Sequence, residues 1–161
     1  MATRKLTLRI GIGAALAATV AVVAVGWLGS TTSKAAARRA AAGATVQTKK
    51  VGKLGVILVN SKGRTLYMFV PDHQKRVTCK GQCAVIWPPL KVKKGQKPTA
   101  GGAAKKKLLG TYGRVVSYNK WPLYTYLSDT KPGQASGQAL DLNGGKWYVL
   151  SPSGKVIKTK L

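Results

Sequence analysis

After residue 50, apolar and polar residues alternate in short runs, which is the pattern of β-strands rather than helices. Three pairs of runs are each joined by a turn rich in Asn, Ser, Gly or Pro, which predicts three β-hairpins. The hairpins span residues 56–70, 114–127 and 146–157. The pattern over residues 83–87 predicts one turn of helix, which the following Pro-Pro pair ends. The pattern therefore predicts a small, mostly β single domain over residues 51–161.

The first two hairpins carry the same motif, Leu-Tyr-x-aromatic-x-x-Asp, at residues 66–72 and again at 123–129. The motif side chains are Tyr67, Phe69 and Asp72 in the first copy and Tyr124, Tyr126 and Asp129 in the second. A duplication of this kind predicts two like units that share one core. We place these β-hairpin repeats at residues 51–90 and 108–161. A Lys- and Gly-rich linker, 91–107, joins them, and its composition predicts mobility.

Alternation along a strand places Tyr67 and Phe69 on one face and Leu66, Met68 and Val70 on the other. Both faces are apolar, so the motif strands are predicted to be covered on each side. Asp72 and Asp129 follow the strand ends, where a short acceptor bonds backbone N–H groups and fixes a chain reversal.

The repeated side chains also permit a functional interpretation. Both aspartates would then converge with Tyr67, Tyr124 and Tyr126 on a cation or a small ligand. Two carboxylates are too few for calcium, which takes six or more oxygens. The favoured interpretation is that the aromatic residues fill the core and the aspartates close turns.

The amino-terminal region has the features of an export segment. Arg4, Lys5 and Arg9 precede an uncharged apolar stretch over residues 10–28, a pattern typical of signal peptides. The stretch is also long enough to cross a bilayer as a helix. We therefore interpret residues 1–33 as a signal peptide or an amino-terminal membrane anchor. In the first case a peptidase would cut after a small-x-small site such as residues 33–35 or 35–37. Residues 34–50, rich in Ala, Lys and Arg, are predicted to form a flexible spacer.

The net charge is the most unusual property of the composition. The chain has 28 Lys and Arg against 3 Asp and no Glu, for a formal charge of +25. Such a field attracts polyanions. Lys outnumbers Arg 21 to 7, whereas base recognition favours Arg, so sequence-specific nucleic-acid binding is not expected. We expect weak, salt-sensitive adhesion to anionic envelope polymers or a phospholipid surface. Alternatively, the lysines only prevent exposed strand edges from pairing.

Cys79 and Cys83 are the only cysteines, and in an exported chain a close pair is most simply a disulfide. A loop this short is worth roughly 2 kcal/mol at best, so the bridge would stabilise one loop rather than the whole fold. The alternative is a copper-binding or thiol-redox protein. Met68 and His73 lie nearby in sequence and would complete a copper site with the two thiolates.

The few titratable side chains argue against catalysis. One His and three carboxylates leave little for acid–base chemistry. The sequence has no nucleophile elbow, phosphate-binding Gly-rich loop or zinc-binding helix. We therefore predict a non-catalytic protein without a cofactor. A small-ligand or cofactor binder that uses the aromatic-rich repeats remains the other alternative.

The repeated Tyr-x-aromatic-x-x-Asp motif resembles the bacterial secreted repeat of unknown function family, described as predicted lipoproteins with a Yx(FWY)xxD motif. Further matching segments are Cys79–Cys83 leading to Trp87–Leu90, and residues 129–134 and 144–149. The resemblance implies export, a paired-repeat architecture and association with the envelope, but no biochemical activity. The chain lacks the lipidation Cys of the lipoprotein members. The expected location is therefore extracytoplasmic, either secreted or held at the cytoplasmic membrane by the amino-terminal segment.

Overall fold

The structure is a computed structural model that describes residues 45–73 and 75–161. The predicted export segment and most of the predicted spacer lie outside the described residues. Within the described part of the chain, no helix has the length and apolar character needed to cross a membrane.

The described residues are mostly β, which confirms the predicted fold class. The strands are β1 (Val46–Lys50), β2 (Val56–Asn60), β3 (Tyr67–Phe69), β4 (Leu109–Tyr112), β5 (Val115–Tyr118), β6 (Trp121–Pro122), β7 (Trp147–Leu150) and β8 (Val156–Ile157). They form three small antiparallel sheets, with strand orders β1-β2, β3-β7-β8 and β4-β5-β6. One short helix, α1 (Gln82–Ile86), and 3-10 turns at 52–54, 70–72 and 106–108 complete the elements.

The chain reverses at each predicted hairpin turn. In the first turn the Asn60 side chain accepts the N–H groups of Lys62 and Arg64. The β5–β6 turn places Asn119 and Lys120 at positive φ, the conformation that a two-residue hairpin loop requires. The β3 strand continues the first hairpin but pairs along its length with β7, so the hairpins are interlocked by longer-range pairing.

The predicted boundary between the spacer and the domain at residue 51 is wrong, because residues 46–50 form β1. All five pair with β2, and Val46 is completely buried in the core. Lys49 and Lys50 are exposed. Because β1 has one deeply buried apolar side chain and is otherwise polar, its sequence shows almost no alternation of apolar and polar residues. Its composition therefore resembled that of a spacer. The first strand of the described residues therefore begins at Val46.

The segment 91–107, predicted to be a mobile linker, is hydrogen-bonded to the strands beside it. The Val92 N–H donates to the Arg114 carbonyl at 3.0 Å, and the Gly101 N–H donates to the Val46 carbonyl at 2.8 Å. The Val46 N–H returns a bond to the Thr99 carbonyl at 3.0 Å. The lysines of segment 91–107 are exposed, whereas its backbone is hydrogen-bonded to the strands. The composition of the segment is typical of a linker and therefore did not reveal these contacts.

Two apolar clusters lie on opposite faces of the β3 strand, as the alternation predicted. Tyr67 and Phe69 belong to one cluster, together with Trp87, Tyr124 and Trp147. Leu66 and Met68 belong to the second cluster, whose other large members are Leu58, Tyr118, Leu123 and Leu150. The two copies of the motif therefore meet inside a common core.

Candidate functional site

The two copies of the motif meet at their tyrosines. The first copy lies on β3, whereas the second follows the short strand β6 and is not the regular strand that the alternation predicted, since Tyr124 pairs through isolated bridges. The Tyr67 N–H donates to the Tyr124 carbonyl at 2.8 Å, and the Tyr124 N–H donates to the Tyr67 carbonyl at 2.9 Å. This antiparallel bridge places equivalent residues of the two repeats opposite each other. The contacts around it are consequently reciprocal, as expected for two like units related by an approximate two-fold axis.

Each tyrosine hydroxyl reaches the aspartate of the other repeat. Tyr67 donates to Asp129 Oδ2 at 2.6 Å, and Tyr124 donates to Asp72 Oδ2 at 2.7 Å. We call these four residues the Tyr–Asp clasp. The side chains repeated in the sequence therefore bond one repeat to the other, rather than closing each repeat on itself.

The second oxygen of each carboxylate holds the turn that follows its own strand. Asp72 Oδ1 accepts the Thr78 N–H at 2.8 Å and the Thr78 hydroxyl at 2.6 Å. Asp129 Oδ1 accepts the Ser136 N–H at 2.9 Å. The two aspartates have relative exposures of 0% and 1%. Their oxygens are engaged by the protein itself, so the motif carboxylates are enclosed rather than presented to a substrate.

Four aromatic rings are stacked at the centre of the first cluster, in the order Phe69, Trp147, Trp87 and Tyr126. The ring centroids are 4.1, 3.9 and 4.2 Å apart along this order. We call it the aromatic stack. Tyr67 meets Trp87 edge-on at 5.4 Å, and Tyr124 meets Trp147 edge-on at 5.3 Å. Stacked and edge-on pairs are both favourable ring arrangements.

The motif analysis missed the two tryptophans at the centre of this stack. Trp87 Nε1 donates to Asn143 Oδ1 at 3.2 Å, and Trp147 Nε1 donates to the Leu142 carbonyl at 2.9 Å. Each repeat has its tryptophan 20 or 23 residues after the motif tyrosine. The similar spacing in the two repeats was the sequence signal that could have identified these tryptophans.

Gly137 was also missed, and only glycine fits its position. A Cβ there would lie 2.7 Å from the Trp87 ring and 3.0 Å from the Tyr67 ring. The Gly137 N–H also donates to the Tyr67 hydroxyl at 3.2 Å. The Tyr67 hydroxyl therefore both donates and accepts a hydrogen bond inside the core.

Cys79 and Cys83 form a disulfide that packs beside the aromatic cluster. The copper alternative needs them together with Met68 and His73. Met68 lies in the second cluster, and His73 is exposed at a left-handed position. The structure does not bring these four residues together. Within residues 45–73 and 75–161, no group of three or more His, Cys, Asp or Glu is placed to hold a metal ion.

The charged side chains on the surface of the described residues are almost all cationic. Residues 45–161 contain 22 of the 28 Lys and Arg, and all of these except the half-buried Arg64 are exposed. Two of the three carboxylates are inside the clasp. The third, Asp141, pairs with Lys146 at 3.2 Å in the one ion pair among the described residues.

The clasp makes the stability sensitive to alkaline pH. Burial raises the pKa of Tyr67 and Tyr124 far above its usual value of about 10, and the hydrogen bond to an aspartate and the negative charge of that aspartate raise it further. Unfolded tyrosines ionise near pH 10 while the folded ones keep their protons. Stability is therefore unaffected by these groups below about pH 10 and is lost above it, by up to ~1.4 kcal/mol per pH unit for each tyrosine.

Urea unfolding of wild type and Tyr124→Phe between pH 9 and 11.5 tests this expectation. The variant is expected to be less stable at pH 9 but to lose stability less steeply with pH, because it lacks one of the two buried hydroxyls. Lysine titration affects both proteins alike and cancels in the comparison. Parallel pH profiles would contradict the assignment.

A family model named Lipoprotein_15 and described as "Secreted repeat of unknown function" matches residues 48–91 and 110–151. The two matches together cover just over half of the chain, and each includes one copy of the motif. No curated protein and no solved structure matches the chain.

Proposed function

Since the chain belongs to the family of secreted repeats of unknown function, we propose that it is an exported, non-catalytic module that adheres electrostatically to anionic polymers of the cell envelope. The family supports an extracytoplasmic location. The observation that carries the adhesion proposal is the partition of charge between the core and the surface.

The fold places its cations outside and most of its carboxylates inside. The clasp withdraws Asp72 and Asp129 from the surface, and they are satisfied there by neutral donors rather than by lysines. Asp141 is then the one exposed side-chain carboxylate of the described residues. Among the described residues, every lysine except Lys146 lacks a side-chain counterion within the protein, so the field they produce is available to an external polyanion.

A cluster of exposed lysines borders the β4–β5–β6 sheet, and we call it the β4 cluster: Lys97, Lys105, Lys106, Lys107 and Lys120. Two shallow grooves of about 290 and 280 Å³ lie against β4, which is an edge strand. Lys97 and Lys106 line the first groove, and Lys107 and Lys120 line the second. A polyanion lying along β4 would meet ammonium groups on both sides without displacing an existing ion pair.

The chemistry of this cluster favours weak, delocalised attraction. Ammonium groups on flexible stems act as point charges, whereas the bidentate phosphate recognition typical of specific sites uses guanidinium groups. Exposed charges are also screened within about 10 Å at 0.1 M salt. Adhesion of this kind is expected to depend on the ionic strength and on the length of the polymer rather than on its sequence.

The absence of catalysis is part of the proposal. The motif carboxylates, which are the repeated acid groups of the chain, are completely buried and hydrogen-bonded. The thiol-redox alternative requires free thiolates, whereas the cysteines are joined. These observations support a binding role over an enzymatic one.

Binding to long-chain inorganic polyphosphate tests the proposal. We expect wild-type protein to bind at 20 mM NaCl and to lose about 90% or more of that binding at 500 mM, because salt screens the exposed charges. A triple charge reversal, Lys105→Glu, Lys106→Glu and Lys107→Glu, is expected to weaken binding at low salt at least tenfold. Fluorescence anisotropy with a labelled polymer measures both effects.

The matched control reverses three separated lysines, with Lys53→Glu, Lys62→Glu and Lys80→Glu, which changes the net charge by the same amount. This control is expected to weaken binding by less than the clustered variant. Salt-independent binding would refute the electrostatic account. An equal loss of binding in both variants would refute the role of the β4 cluster, because binding would then depend on the net charge alone.

A further inference from the structure

A cleft of about 370 Å³ lies on the face of the β3–β7–β8 sheet opposite the aromatic stack. Met68 and Tyr148, which are register partners on neighbouring strands, line it together with Val156 and the half-buried Trp121. Lys146 and Lys158 stand at its margin. The cleft is therefore apolar inside and positive at its edge, and its volume is in the range of small-molecule sites.

The repeat architecture does not require this cleft. With the 57-residue offset of the motif, Met68 corresponds to Thr125 and Trp121 corresponds to Arg64. When the repeats are aligned on their tryptophans, Tyr148 corresponds to Pro88, because each directly follows the tryptophan of its repeat. The large apolar residues that line the cleft thus come from both repeats, and each of these three has a smaller or polar residue at the equivalent position of the other repeat.

The two lysines at the margin are available to a ligand. Lys158 makes no ion pair within the described residues. Lys146 pairs with Asp141, but both side chains are more than half exposed, and an exposed ion pair of this kind is weak. Exchanging Asp141 for a ligand carboxylate therefore costs little.

These features select one ligand chemistry. A hydrophilic polyanion matches the lysines but leaves the apolar lining uncovered, while a neutral hydrocarbon leaves the lysines without a partner. We propose that the cleft binds a monomeric medium-chain fatty acid, with the alkyl chain against Met68, Trp121 and Tyr148 and the carboxylate between Lys146 and Lys158. At roughly 30 Å³ for each water-sized group, the volume accommodates about a dozen non-hydrogen atoms, the size of decanoate.

This binding is separate from adhesion through the β4 cluster. The triple reversal at Lys105, Lys106 and Lys107 is expected to leave decanoate binding within twofold of wild type. The two proposals therefore fail or succeed independently.

Calorimetric titration of the full chain with sodium decanoate, below its micellar concentration, tests the site. Saturable binding of one equivalent is expected, with decanol at least fivefold weaker because it lacks the charge. Lys158→Glu is expected to weaken decanoate binding about tenfold, and the matched reversal Lys160→Glu, outside the cleft, by less than twofold. Val70→Asp places a negative charge at an exposed position that lines the cleft, and it is expected to weaken binding without leaving a cavity.

Three results would overturn the proposal. The first is no saturable heat up to ~1 mM decanoate, a concentration that detects even a weak site. The second is equal weakening by Lys158→Glu and Lys160→Glu, which would reduce the effect to net charge. The third is binding to phosphatidylglycerol vesicles without binding to monomeric decanoate, which would make the cleft a membrane contact instead.

Discussion

Replacement of Trp147 with alanine is expected to lower the free energy of unfolding by about 4 kcal/mol, the largest effect of any single substitution considered for this fold. The indole is completely buried and contacts Phe69, Trp87 and Tyr124. Its removal takes one of the two central rings out of the aromatic stack and leaves the Leu142 carbonyl without its donor. Since small domains are stable by only about 5–15 kcal/mol, this loss removes a large part of the total free energy of unfolding.

Trp121→Ala is the matched control, because it also removes an indole but from a half-buried position outside the stack. Its expected cost is less than half that of Trp147→Ala. Urea unfolding followed by far-UV circular dichroism measures both, and near-UV circular dichroism reports the loss of the stacked rings. Equal destabilisation by the two substitutions would contradict the central role of the stack.

Replacement of Asp129 with alanine is expected to destabilise the protein by about 3 kcal/mol. The substitution leaves the Tyr67 hydroxyl and the Ser136 N–H without their acceptor. Each buried donor that loses its partner costs ~1–3 kcal/mol. Tyr67→Phe alone is expected to cost about 2 kcal/mol, more than Tyr124→Phe, because it also removes the acceptor of the Gly137 N–H.

A double-mutant cycle tests the crossed arrangement of the clasp. Tyr67→Phe combined with Asp129→Ala is expected to be non-additive by about 1.5–3 kcal/mol, the range for a hydrogen bond to a charged group. Tyr67→Phe combined with Asp72→Ala is the control, since these residues share a repeat but make no hydrogen bond to each other. It is expected to be additive within about 0.5 kcal/mol. The opposite result would mean that each repeat closes on itself.

The sequence predicted the repeats well because their signal is local. The motif copies, the alternation and the turn residues specify the strands and their two buried faces, and Thr78 and Ser136 confirm that the aspartates bond turn N–H groups. A one-dimensional pattern does not say which repeat supplies the acceptor for a given tyrosine. The crossing of Tyr67 to Asp129 depends on the Tyr67–Tyr124 backbone bridge, which is a long-range contact.

The missed elements share a physical cause. β1 has one deeply buried apolar side chain, at Val46, so its order comes from backbone pairing with β2. The 91–107 segment is held by backbone bonds that any sequence without proline at those positions can make. Trp87 and Trp147 are distant from the motif in sequence and acquire their role only when the two repeats are packed together.

The crossed clasp has a consequence for the origin of the molecule. A polypeptide with a single repeat would expose a tyrosine lacking its acceptor and an aspartate lacking its donor, together with half of an aromatic column. Two identical copies that associate symmetrically would supply the missing acceptor and the missing donor to each other. A homodimeric ancestor is therefore the simplest precursor of this architecture. Gene fusion would have made that association intramolecular, after which the two halves were free to diverge wherever the symmetry was not needed.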